Sequence, residues 1–205
     1  ASFVVQGICT MTLLVVGLIL FFAVHLLRVF APGFRTGVIA RFGKPAWVVF
    51  HSLASIVTLV LVIYGFAQAR DVTDMLWYPP LFMKHITVTL MLIAMICLVA
   101  GFLPAGHIAT KTRHPIVLSI KIWAFAHLLA RGDTASVLLF GSFLAYGVLL
   151  RISLKRRERA GEIAPRPFVS VGYDIAAVIL GGALWFLIIW KLHEWLIGVQ
   201  PISMG

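Results

Sequence analysis

The chain has 205 residues, of which 61% are hydrophobic and only 12% charged, and its mean hydropathy is +1.05. So little polar surface cannot cover a water-soluble globule of this size, which places the chain among integral membrane proteins. The formal net charge of +10 then needs no nucleic-acid partner, because cationic loops are what membrane topology and anionic lipid headgroups call for.

Apolar runs at residues 3–30, 46–69, 81–103 and 173–192 are long enough to span a bilayer. Two shorter runs, 116–130 and 135–150, are separated only by Arg131, Gly132 and Asp133 and read as a tight helical hairpin, marginal in length for crossing. Pro32-Gly33, Pro79-Pro80, Pro104-Ala105-Gly106 and Pro165-Arg166-Pro167 punctuate the helix ends. The fold expected is an all-α bundle of six transmembrane helices in one domain, residues 1–205. The first helix is too long for a signal-peptide core, and no small-residue cleavage site follows it before Pro32.

The basic residues alternate between loops. Thirteen of the seventeen lie on one side: Arg28, Arg35, Arg41 and Lys44; Lys111, Arg113 and Lys121; and Arg151, Lys155, Arg156, Arg157, Arg159 and Arg166. Only Arg70, Lys84, Arg131 and Lys191 fall on the other. By the positive-inside rule, both termini face away from the cytosol. The only polar stretch long enough for a linker is 154–167. Cys9 and Cys97 sit in apolar helices and read as small hydrophobes rather than as a disulfide framework.

Within these helices the costly residues are histidines, since an ionisable group inside a membrane is a functional-site candidate by default. Counting about 1.5 Å of rise per residue from the nearest cationic anchor, His25 stands about 4.5 Å above Arg28, His127 about 9 Å above Lys121 and His51 about 10 Å above Lys44. One layer in the cytosolic half accommodates all three. His85 and His193 belong to the opposite side, and His107 and His114 lie in or beside a loop.

Two imidazoles on neighbouring helices facing an apolar slot are the donor set of a bis-histidine haem. Arg28, at i+3 from His25, and Arg131, at i+4 from His127, are candidate partners for its propionates, with Arg28 favoured. Phe21 and Phe22 before His25, and Trp123 and Ala124 before His127, are candidates to line the porphyrin. Buried hydrogen-bonded histidines and a proton or ion pathway are the competing readings. A transporter would further call for paired intramembrane charges or broken helices, of which only Lys121, Arg131 and Asp133 give a hint.

Four segments carry more information: LFFAVHLLRVF at 20–30, LWYPPLFMKH at 76–85, RHPIVLSIKIWAFAHLLARGD at 113–133 and FGSFLAYGVLLRISLKRR at 140–157. Together they closely resemble the NnrU family of bacterial membrane proteins, over residues 13–157. The resemblance implies a multi-pass protein of the bacterial inner membrane, associated in denitrifying bacteria with nitrite and nitric oxide reduction. An electron donor or a nitrogen-oxide respiratory protein is the partner it implies, beside membrane lipids. The same segments are more distantly similar to the plastid zeta-carotene isomerase, a haem b enzyme that moves a cis double bond to trans. That similarity implies one haem b per chain with His25 and His127 as iron ligands, and leaves His51 as a neighbour or substitute ligand. Ala124 stands where the isomerase has an alternative cysteine ligand, which separates this chain from its ligand-switch chemistry. Redox or ligand sensing at the haem is thus the expected function, and isomerisation of a polyene lipid the enzymatic alternative.

Arg113-His114-Pro115 also resembles the motif with which membrane methyltransferases hold S-adenosylmethionine, but the paired acidic motif of those enzymes is missing: Asp133, Glu158, Glu162, Asp174 and Glu194 each stand alone. As plain structure the same tripeptide is a helix start, with Pro115 at the first helical position and Arg113 as interfacial anchor.

Overall fold

The computed structural model describes residues 2–201, with side chains from residue 11 onward. Cys9 thus lies outside the residues whose side chains are described. The elements, in chain order, are α1 (Ser2–Phe30), α2 (Pro32–Ala69), α3 (Leu81–Phe102), α4 (His107–Thr112), α5 (Pro115–Ala130), α6 (Thr134–Arg159), α7 (Gly172–Leu187), a π-helical turn (Ile188–Leu192) and α8 (His193–Ile197). Among the described residues there is no β-strand, only an isolated bridge between Met75 and Asp133.

Among the described residues, five helical stretches are long and apolar enough to cross a membrane: Met11–Phe30, Pro32–Ala69, Leu81–Phe102, Thr134–Arg159 and Gly172–Ile197. α5 is apolar but has 16 residues. At 1.5 Å per residue that is about 24 Å, short of a hydrocarbon core of about 30 Å.

Three boundaries differ from those expected. The basic segment after the first helix is helical, because Pro32 occupies the first turn, where its missing N–H costs nothing. That helix breaks at Gly43 (φ 83°, ψ 163°), a positive-φ conformation that glycine adopts freely, and Pro45 opens the apolar run beyond it. The first part of the expected linker, 154–159, is helical too, since α6 runs to Arg159 and ends on Arg156, Arg157 and Arg159, cations that suit the negative end of the helix dipole. The last helix extends past Leu192 through the π-helical turn to Ile197.

Two compact units result. The first contains α1, α2 and the opening turns of α6, Asp133–Ser142. α1 and α2 approach closely at Gly65, where a Cβ would come within 2.8 Å of the Leu14 backbone. Leu14, Leu18, Phe21 and Val62 are buried along this seam. Asp133 caps α6 by accepting the Ser136 N–H at 2.9 Å, and the Thr134 N–H is donated to Asp74 O at 3.1 Å.

In the second unit, Trp77–Gly132 and the chain from Phe143 onward, α3 packs against α5 and α7. Its buried positions are mostly small, Ala94, Cys97, Ala100, Ala124 and Ala126, as helices require when packing rather than water expulsion holds them together. Two side chains tie the helices to one another's backbones: Thr87 Oγ1 donates to Ala126 O at 2.7 Å, and Trp185 Nε1 to Val88 O at 2.8 Å. Asp174, in the first turn of α7, accepts the N–H groups of His107 (2.7 Å) and Ile108 (2.9 Å) and thereby caps α4.

Candidate functional site

In the first unit, α1 and α2 bring His25 and His51 together, with ring centroids 5.6 Å apart and planes at 67°. Phe21, one turn before His25, stacks on its imidazole at 4.0 Å, and Phe22 meets Phe21 edge-on at 5.4 Å. Trp47, one turn before His51, lies 5.5 Å from that ring. The two histidines and the aromatics before them thus form one continuous column, because a spacing of four residues puts each pair on a single helix face. Arg28 stands in the last turn of α1. Phe22 also borders an open apolar groove on α1 with Ile19, Leu26 and Phe30.

The tautomer of His25 follows from its neighbour. Its Nδ1 lies 2.8 Å from Phe21 O, and a carbonyl only accepts, so Nδ1 carries the proton and the lone pair resides on Nε2. His51 Nδ1 lies 3.3 Å from Ser55 Oγ.

The second unit repeats the arrangement around His127 on α5. His127 Nδ1 donates to Trp123 O at 2.8 Å, which again leaves the lone pair on Nε2. Trp123 lies 5.4 Å from the imidazole and meets Phe143 of α6 edge-on, also at 5.4 Å. Ala124 is fully buried. His193, just past the π-helical turn, acts electrostatically on His127, as does Arg131. His193 resembles the other two in donating Nδ1–H to a carbonyl, that of Val199, at 2.6 Å.

Of the residues singled out by sequence, His25, His51, Phe21 and Phe22 share one unit and His127, Trp123 and Ala124 share the other. The depth count sets His193 apart from His127, whereas the two interact electrostatically within the second unit. The π-helical turn before it, a feature frequent at functional sites, has no sequence pattern that announces it. Among the described residues, no group of three or more His, Cys, Asp or Glu side chains is placed to hold a metal ion.

A third constellation sits between α4 and α5. Arg113 has φ 61° and ψ −45°, and the His114 N–H is donated across it to Thr112 O at 2.7 Å. This is the rare γ-turn whose central residue is strained. Pro115 follows at the start of α5, as its sequence context required. The turn aims both side chains at Glu158 on α6: Arg113 Nη1 donates to Oε2 at 3.2 Å, and His114 Nε2 approaches Oε1 to 2.9 Å without hydrogen-bond alignment. Arg151, two turns earlier on the same face of α6, acts on both His114 and Glu158, and its Nη1 is buried with no hydrogen-bond partner among the described residues. Burial pushes the His114 imidazole below its ordinary value; Glu158 opposes that shift, while Arg151 and Arg113 reinforce it. The acid partner of the Arg-His pair is therefore a single Glu158, which sequence reading passed over because no second carboxylate adjoins it.

Long apolar helices joined by basic turns, with histidines and aromatics inside them, define a multi-pass helical membrane protein. The chain matches the family model described as NnrU protein over residues 13–201, most of its length, and belongs to that family. No curated protein and no solved structure matches it significantly.

Proposed function

We propose that this protein is a b-type haem protein of the bacterial inner membrane, with His25 and His127 as axial ligands, serving redox or ligand sensing in nitrite and nitric oxide reduction. The observation that carries the reading is the hydrogen bond that the two imidazoles have in common. Each donates Nδ1–H to the carbonyl four residues earlier, Phe21 O and Trp123 O, which leaves the lone pair on Nε2, the nitrogen proposed to meet the iron.

The donor chemistry fits the group. A porphyrin brings four nitrogens of its own and asks the protein for one or two neutral imidazoles, so a chain without a three-residue metal cluster among its described residues can still hold it. Phe21, Phe22, Trp123 and Ala124 are the residues proposed to line the porphyrin, and Arg28 the cation proposed to meet a propionate. When bound, haem supplies one-electron redox chemistry or, if one imidazole leaves, an iron site for nitric oxide. His51, in contact with the His25 ring, is the side chain best placed to influence that ligand. The proposal includes six crossings, α5 being the sixth, with both termini on the non-cytosolic side as the distribution of Lys and Arg directs.

The test is the visible spectrum of the detergent-purified protein, oxidised and dithionite-reduced, with a pyridine haemochrome assay. Expected are a Soret band, sharp reduced α and β bands and near one haem per chain, lost in His25→Ala and His127→Ala and kept in His114→Ala. A protein that stays colourless after haem is supplied, or that keeps its haem without both histidines, overturns the reading.

A further inference from the structure

The cluster at Arg113 has no part in the proposed haem site, and its charges do not balance. Two guanidinium groups, Arg113 and Arg151, stand about a single carboxylate, Glu158. His114 counts as neutral at pH 7, because burial disfavours its charged form. One positive charge is left over. Part of it is out of water: Arg151 Nη1 is buried and has no hydrogen-bond partner among the described residues, while the Glu158 side chain is only 7% exposed. A buried guanidinium N–H without an acceptor costs free energy comparable to a lost charge-assisted hydrogen bond, and such an orphan calls for an acceptor from outside the chain.

The geometry points to a seat for the phosphodiester monoanion of an anionic lipid headgroup, held by Arg113 and Arg151 beside Glu158. Three features select this ligand. The charge left over is one, which a phosphodiester neutralises and a phosphomonoester dianion overfills. Guanidinium forks match phosphate oxygens in geometry, and neither Arg113 nor Arg151 exhausts its five N–H donors on Glu158. The cluster also lies where the apolar stretch of α6 gives way to its charged end, Lys155 to Arg159, where headgroups reside. One donor is already accessible: the Arg113 side chain is 53% exposed, so it forms the rim, with Arg151 as the floor. Glu158 then plays a double part. It holds Arg113 in place and, as a like charge, limits how tightly an anion binds.

The experiment titrates dihexanoylphosphatidylglycerol into the full-length protein in neutral detergent and counts bound molecules by native mass spectrometry. The expected result is one retained molecule per chain, with affinity falling about tenfold or more in Arg151→Gln and in Arg113→Gln, the loss for one charge-assisted hydrogen bond. Arg151→Lys, which keeps the charge, loses less. Glu158→Gln binds more tightly, an opposite sign that general unfolding does not produce. Dihexanoylphosphatidylcholine, whose headgroup carries its own cation, binds more weakly. Unchanged affinity in Arg151→Gln, or equal retention of the two lipids, overturns the inference. Displacement of the lipid by an equal concentration of inorganic phosphate reassigns the seat to free phosphate and overturns the lipid assignment. Should Arg151→Gln fail to fold, Arg151→Lys and Glu158→Gln decide the matter.

Discussion

Gly181 and Gly182 are adjacent in α7, yet the same substitution is expected to have opposite effects at the two. A Cβ on Gly181 would meet Ile96 of α3 at 2.7 Å from Cα and 2.9 Å from N, whereas a Cβ on Gly182 meets nothing within 4 Å. Ordinary contact begins at 3.4 Å, so in Gly181→Ala the backbones of α3 and α7 must separate by about 0.7 Å. Backbone cannot swing aside as the end of a side chain can, and overpacking of this kind costs about 1–3 kcal/mol. The displacement also loads the Trp185 Nε1 to Val88 O hydrogen bond, 2.8 Å long and one turn further along α7. Gly182→Ala replaces a glycine in an open helical position and gains at most about 1 kcal/mol, less where the helix persists in the unfolded state within the membrane. Equilibrium unfolding of the two variants in mixed micelles, with dodecyl sulfate as denaturant, should place Gly181→Ala below the parent and Gly182→Ala level with it or above. If the two variants unfold together, or Gly182→Ala is the weaker, the close approach of α3 and α7 is wrong.

Asp174→Ala removes the acceptor of two backbone N–H groups at the start of α4, and should cost about 1–2 kcal/mol, read as faster hydrogen exchange at His107 and Ile108. Equal exchange in parent and variant would rule out the cap. Gly132→Ala drives a Cβ into Trp77 O and should be among the most disruptive single changes, seen as loss of monodisperse protein on gel filtration. The pH dependence of stability tests His114. Its folded-state pKa lies below its ordinary 6.5, so the unfolded chain takes up the proton first. The contribution is therefore whole above pH 6.5 and lost as pH falls from there through the lowered value, and His114→Gln should flatten that part of the profile. A profile unchanged in His114→Gln contradicts the assignment.

The apolar stretches, their proline boundaries and the helix start at Pro115 were legible in the sequence because each depends on local chemistry: run length against bilayer thickness, and the fixed φ and missing N–H of proline. Segments 32–42 and 154–159 look like connections in the sequence because their charges favour water. Both are helical, since charge alone does not stop a helix and Pro32 starts one. The π-helical turn before His193 left no trace in residue type. His25, His127 and His51 stand out in the sequence because each is an ionisable residue within an apolar run. The Arg-His-Pro motif was visible too, but Glu158 was not, since it is 44 residues beyond His114 and its role depends on where α6 passes.

Composition by itself made this a membrane protein, and the order of its segments placed it in the NnrU family. Both follow from quantities summed or matched along the chain, to which every residue contributes without regard to its neighbours in space. Tertiary structure alone decided that His25 meets His51, that Gly181 and not Gly182 touches another backbone, and that Glu158 faces Arg113 and His114. These are contacts between helices, set by the rotation and approach of each against the next. Nearly uniform apolar sequences encode that rotation weakly, because almost every face of such a helix is equally at home in lipid.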